Sequence, residues 1–184
     1  MFSNVKLCGR DDLNKLSECP MVRRDHRDTL REALIEDPPK GPIFGAEIDR
    51  PDVFLKLNLR YQKVTHPIAP LDDSLELEQI IGRMRDSQQD FRTLANEQDD
   101  PNKRKWFTRV ADIIQKFSYE DFGLIALEPS APGLLKPEEA TCYSIFEGQH
   151  RSLALAWRLM GDIQSFKPIQ ALLLFPRRTS TELR

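Results

Sequence analysis

Apolar and polar positions change period several times along this chain, and each change marks an element. Residues 22–36 carry few apolar positions at helical spacing, which predicts a surface helix stopped by Pro38-Pro39-Lys40-Gly41-Pro42. Across 43–65, Val53, Leu55, Leu57 and Leu59 alternate with Phe54, Lys56, Asn58 and Arg60, the period of a strand. His66-Pro67-Ile68-Ala69-Pro70 reads as an extended connector. Asp73-Ser74-Leu75-Glu76 reads as a capping box, and Leu77, Ile80, Ile81, Met84, Phe91 and Ala95 keep helical spacing to about residue 96. After a polar break at 96–102, Trp106, Val110, Ile113, Ile114 and Phe117 form a second helical stripe, expected in the core. Residues 124–127, 142–147 and 169–175 are short apolar runs that predict strands, and 150–161 predicts a largely buried helix. Residues 128–140, with Pro129, Pro132, Gly133 and Pro137, predict a loop or lid between two strands.

These elements predict a mixed α/β (α+β) domain. Its small sheet would be built from residues 53–59, 124–127, 142–147 and 169–175, with flanking helices. Residues 1–70 read as an N-terminal extension, partly helical with a strand region. Residues 71–178 read as the core and 179–184 as a flexible tail.

Charge narrows the partners. The chain has a formal net charge of −2, but residues 101–184 hold 12 Lys and Arg against 9 Asp and Glu. A mildly positive second half suits a small phosphorylated ligand better than strong nonspecific DNA binding. Cys8, Cys19 and Cys142 are too scattered for a disulfide framework or a zinc cluster, and Cys142 reads as a core residue of a strand. There is no apolar run of membrane-spanning length and no signal-peptide pattern, so the expectation is a cytoplasmic protein without a membrane partner. His26 and His66 lack metal-ligand spacing, and Arg23, Arg24 and Arg27 read as a solvated helix face.

The chemistry concentrates in Glu147-Gly148-Gln149-His150-Arg151-Ser152, a strand–glycine–helix corner. The first N–H groups of a helix have no internal partner and carry partial positive charge. A glycine there lets the backbone approach a ligand, and an arginine adds donors suited to phosphate. The corner is therefore a candidate anion pocket; the alternative is a buried turn whose polar residues cap the helix. Arg151 is the candidate phosphate clamp, set against a surface ion pair. Gln149 would donate to phosphate or base, and Ser152 would touch phosphate or bond its own backbone. His150 would contact phosphate, move a proton or brace the turn; Glu147 would act as a base, hold Mg2+ through a nucleotide, or hydrogen-bond the turn. Lys136 would close over the anion from the 128–140 loop, or simply face solvent.

The Glu147-Gly148-Gln149-His150-Arg151 run, with the strand before it and the small, apolar helix after it, resembles the signature of the ParB/sulfiredoxin-like superfamily. The resemblance spans roughly residues 104–178. It departs in having Glu147 where many relatives have Asp, and in lacking a cysteine beside Gly148. It implies a pocket for the phosphates of a nucleotide with Gly148, Gln149, His150 and Arg151 at its floor; joined to the reading of the residues, which adds Ser152 for phosphate and Glu147 and His150 as catalytic residues, the expected cofactors are ATP or another NTP with Mg2+. The expected function is then a nucleotide-binding hydrolase or phosphotransfer enzyme with an unidentified small-molecule or protein acceptor. Two rivals stand beside it: a non-enzymatic DNA-linked regulator or partition-type module, for which no helix-turn-helix follows the core, and a protein-interaction scaffold using the helices of 71–117.

Overall fold

The computed structural model describes residues 2–9, 42–59, 67–68, 75–131, 133–134 and 136–175. The helix expected at 22–36, most of the proline stop after it, Asp73 and Ser74, the tail at 179–184, and Cys19, Arg23, Arg24, His26, Arg27 and His66 lie outside those residues.

A mixed sheet organises the fold. Its strands are β1 (Ser3–Leu7), β2 (Ile43–Ile48), β3 (Asn58–Leu59), β4 (Ile125–Pro129), β5 (Tyr143–Glu147) and β6 (Ile169–Leu174), in the order β1-β2-β6-β4-β5-β3. β6 pairs parallel with β4 and β5 parallel with β3, while the other neighbours are antiparallel. The helices are α1 (Pro51–Leu55), α2 (Leu77–Asp86), α3 (Phe91–Asn96), α4 (Pro101–Gln115) and α5 (Gln149–Leu159). Ile125, Ala126 and Leu127 of β4 and Ala171 to Leu174 of β6 are all buried, as the continuous apolar runs of central strands require. α5 packs on α4 and α2, and Leu153, Ala154, Leu155 and Ala156 on it are fully buried. Burial nearly all round that helix is what its apolar sequence predicts.

Several expected elements differ in detail. Residues 51–55 are helical, not extended. Pro51 occupies the first turn, where its locked φ suits a helix and its missing N–H costs nothing. Phe54 and Leu55 are both buried, which adjacent residues of a half-buried strand are not. Only Asn58–Leu59 joins the sheet from that region. The segment expected to be an extension supplies β1 and β2, in the same sheet as the core strands. β1 is an edge strand blunted by a register shift between Ser3 and Lys6, with Asn4 at φ 52°.

The helix expected through residue 96 breaks after Asp86. Gln88 takes φ 54°, and Asp90 starts a new helix by accepting from Thr93 N at 2.7 Å. The capping box that opens α2 is formed by Glu76 and Gln79. On α4 the fully packed positions are Phe107, Val110 and Ala111, whereas Trp106, Ile113 and Ile114, with Phe117 just past its end, are partly buried against the core. Cys142 precedes β5 and is half-buried.

Candidate functional site

Gly148 is the N-cap of α5 and adopts φ 94°, ψ 16°, a left-handed conformation that side chains with a Cβ avoid. A Cβ built there would lie 2.7 Å from Ile125 Cγ2 and 3.2 Å from Arg151 Nη2. The glycine therefore admits β4 and the arginine head, so on its Cβ side the close approach is that of the protein itself.

Arg151 stands in the first turn of α5 and is 7% exposed. Its Nη2 donates to Leu124 O at 2.9 Å and its Nη1 donates to Phe122 O. Gly123, at φ 67°, lies between those two carbonyl-bearing residues. The guanidinium carbon sits 5.6 Å from the Phe122 ring centroid. Arg151 is thus a tether between α5 and the turn before β4, and it is not the surface ion pair of the alternative reading.

The rest of the corner is packed. Gln149 is buried and donates through Nε2 to Ile145 O at 3.3 Å. Ser152 is fully buried, its amide closes the first turn on Gly148 O at 2.9 Å, and its Oγ has no hydrogen-bond partner among the described residues. His150 is half-buried with its ring on Trp106, centroids 4.5 Å apart and planes at 41°. Glu147 is half-buried and faces Ala126 across the β4–β5 ladder.

The expected lid is at the other end of the hairpin. Ala126 pairs with Glu147 and Pro129 with Tyr143, so the loop holding Lys136 joins the strand ends remote from Gly148. A five-residue strand, at ~3.3 Å per residue, puts roughly 15 Å between the two ends. Lys136 therefore does not close over the corner.

Beside the corner lies a cavity of about 410 Å3, lined by Arg109, Asp112, Ile113, Lys116, Phe117, Ser118, Asp121, Phe122 and Arg151. Of the six corner residues only Arg151 reaches it; Glu147, Gly148, Gln149, His150 and Ser152 do not line it. Three cations and two carboxylates face the space, and Asp112 is engaged by Arg92 at 2.7 Å. The apolar wall is Ile113, Phe117 and Phe122, with the Arg158 guanidinium 5.2 Å from the Phe117 centroid.

No protein-family model, curated protein or solved structure matches this chain. The resemblance expected to the ParB/sulfiredoxin-like superfamily is carried by the sequence of the corner and its flanking pattern alone. Among the described residues, no helix is long and apolar enough to cross a membrane. Nor do three or more His, Cys, Asp or Glu side chains gather there as a metal site.

Sequence reasoning missed Arg109, Lys116 and Ser118. The signal was present in part: Arg109 and Lys116 are seven residues apart, two helical turns, on the polar face of the helix whose apolar face was recognised. That this face meets Arg151 depends on the α4–α5 packing, which no local pattern shows.

Proposed function

We propose that this protein binds a phosphorylated ligand of nucleotide size in the cavity formed by α4, the 116–122 turn and Arg151. One observation carries the reading: Arg109, Lys116 and Arg151 line one cavity together with the apolar and aromatic side chains of Ile113, Phe117 and Phe122. Cations complement phosphate, and an aromatic wall accepts a flat base. The volume falls within the ~300–1,000 Å3 of ordinary small-ligand sites. Arg151 contributes its charge from a fixed position, since both terminal nitrogens are already held by backbone carbonyls. Arg109 and Lys116 reach the cavity from exposed positions.

The chemistry implied by the resemblance, NTP hydrolysis or phosphoryl transfer, would fall to Glu147 and His150. Neither lines the cavity, and the His150 ring lies against Trp106 at a tilt of 41°, which favours binding over proton transfer by that ring. Glu147 stands outside the cavity, and the described residues build no Mg2+ site of their own.

The test is thermal stabilisation by ATP, other nucleoside triphosphates and inorganic phosphate, with and without Mg2+. A ligand at a hundredfold its Kd adds about 2.7 kcal/mol to stability. The double substitution Arg109→Ala and Lys116→Ala should weaken that ligand at least tenfold while leaving the unliganded Tm nearly unchanged. Absence of stabilisation by every nucleotide and by phosphate would refute the reading.

A further inference from the structure

The cavity is the inner end of a longer charged track. Lys105, Arg109 and Asp112 on α4 and Lys116 at its C-cap are spaced four, three and four residues apart, and all are exposed. At 100° per residue they fall within roughly 60° of one another, forming a single stripe. Phe107, Val110 and Ala111 hold the helix to the core on its other side. The one carboxylate in the stripe, Asp112, is engaged by Arg92 at 2.7 Å, so Lys105, Arg109 and Lys116 dominate its field. The stripe spans about 16 Å of helix axis, at 1.5 Å per residue. Arg109 and Lys116 line the cavity, whereas Lys105 lies one turn beyond it.

A single nucleotide in the cavity leaves Lys105 without a phosphate. A nucleic-acid strand does not, because it repeats a phosphate every ~3.4 Å when stacked and can present charge along the whole stripe. The cavity, at about 410 Å3, holds one nucleotide rather than a base pair, and half-buried Phe117 on its wall offers a surface for a base. Resting on the phosphorylated-ligand reading above, we propose that the ligand is the end of a single-stranded oligonucleotide. Its terminal nucleotide enters the cavity, and the phosphates behind it follow α4 past Arg109 to Lys105. Asp121 at the cavity is the opposing charge, and it favours the terminal base there over a further phosphate.

Fluorescence polarisation with a labelled pentathymidylate carrying a 5′ phosphate, competed by thymidine 5′-monophosphate, tests the proposal on the full chain. The expected result is an oligonucleotide affinity at least tenfold above that of the mononucleotide. Three contacted phosphates give a log–log salt slope of about −2, at ~0.7 per phosphate for single strands. Lys105→Ala should lower that slope by about 0.7, whereas Lys103→Ala, off the stripe on the same helix, should leave it unchanged. If the mononucleotide binds and the oligonucleotide binds no tighter, the proposal falls and the cavity reading stands. If neither binds, the proposal falls, and the cavity reading falls with it when the nucleotide and phosphate panel also gives no stabilisation. Competition by poly-glutamate of equal charge as effective as the oligonucleotide itself, or equal effects of Lys103→Ala and Lys105→Ala, would also overturn the proposal.

Discussion

Replacing Gly148 by alanine tests the geometry on which the corner depends. Two costs add. The φ of 94° forces a Cβ-bearing residue into a left-handed conformation, at about 1–2 kcal/mol. The new Cβ also meets Ile125 Cγ2 at 2.7 Å, and Ile125 is fully buried in the central strand β4. Overpacking of that kind costs about 1–3 kcal/mol. Against them stands a gain of about 0.4–1 kcal/mol from the stiffer unfolded chain. The net expectation is a loss of about 2–4 kcal/mol. Urea unfolding followed by Trp fluorescence would show this as a lower midpoint at unchanged slope. Ile125→Ala removes the clashing methyl, so the double variant should lose about 1–2 kcal/mol less than the sum of the single losses. Ligand affinity in the cavity should fall with Gly148→Ala, because the same Cβ lies 3.2 Å from Arg151 Nη2. A loss below about 0.5 kcal/mol for Gly148→Ala, or strict additivity with Ile125→Ala, would refute the reasoning.

Arg85→Ala removes two donors from the C-terminal end of α5, to Trp157 O at 2.7 Å and Met160 O at 2.9 Å, and a cation 5.1 Å from the Trp157 centroid. A loss of about 1–3 kcal/mol in chemical denaturation is expected. Asp90 caps α3, and its bond from Thr93 N holds its carboxyl below the ordinary value. Its contribution is present above pH ~3.9 and is lost as pH falls through the depressed folded value; Asp90→Ala should cost about 1 kcal/mol at pH 7 and progressively less in acid. Burial raises the Tyr143 phenol well above the ordinary tyrosine range. Folded Tyr143 keeps its proton where the unfolded chain ionises, so stability is intact below pH ~10 and falls as pH rises beyond it; Tyr143→Phe should flatten that alkaline decline in pH-dependent unfolding. Ser152→Ala removes a fully buried hydroxyl with no partner among the described residues, so it should be neutral or stabilising by up to about 1 kcal/mol in thermal unfolding.

The parts of the fold that were legible share one property: their apolar pattern is decided by their own burial. β4, β5, β6 and α5 fall where the apolar runs place them because these elements are covered nearly all round or hold the centre of the sheet. Residues 51–59 misled because a short helix and a two-residue strand together mimic alternation. The overriding signal was Pro51, which suits a first helical turn and not a paired strand. The break after Asp86 carried a signal as well, an Asp–Phe step at residues 90 and 91. Continuous apolar spacing across the break concealed it, since α2 and α3 both face the core.

The corner was legible as a conformation but not as a surface. Glycine before a helix marked a place of close backbone approach, and Gly148 takes a left-handed turn there. The same residue also predicts two opposite environments: room for a ligand's phosphate, or room for the protein's own atoms. Choosing between them requires knowing that Ile125 and the carbonyls of Phe122 and Leu124, more than twenty residues upstream, close on it. An arginine in the first turn of a helix that continues as Leu153-Ala154-Leu155-Ala156 is the clue that those partners exist. A guanidinium buried to 7% exposure must find acceptors nearby, and main-chain carbonyls at a turn containing Gly123 supply them. The tether and the cavity wall are then consequences of one arrangement. By fixing the 122–124 turn against α5, Arg151 holds Phe122 beside Phe117 and the end of α4, and so forms the cavity in which Arg109 and Lys116 face its own charge. Arg151→Met should therefore disorder the cavity as well as discharge it, whereas Arg109→Ala with Lys116→Ala discharges it alone, and comparing the two separates shape from charge in whatever ligand the cavity holds.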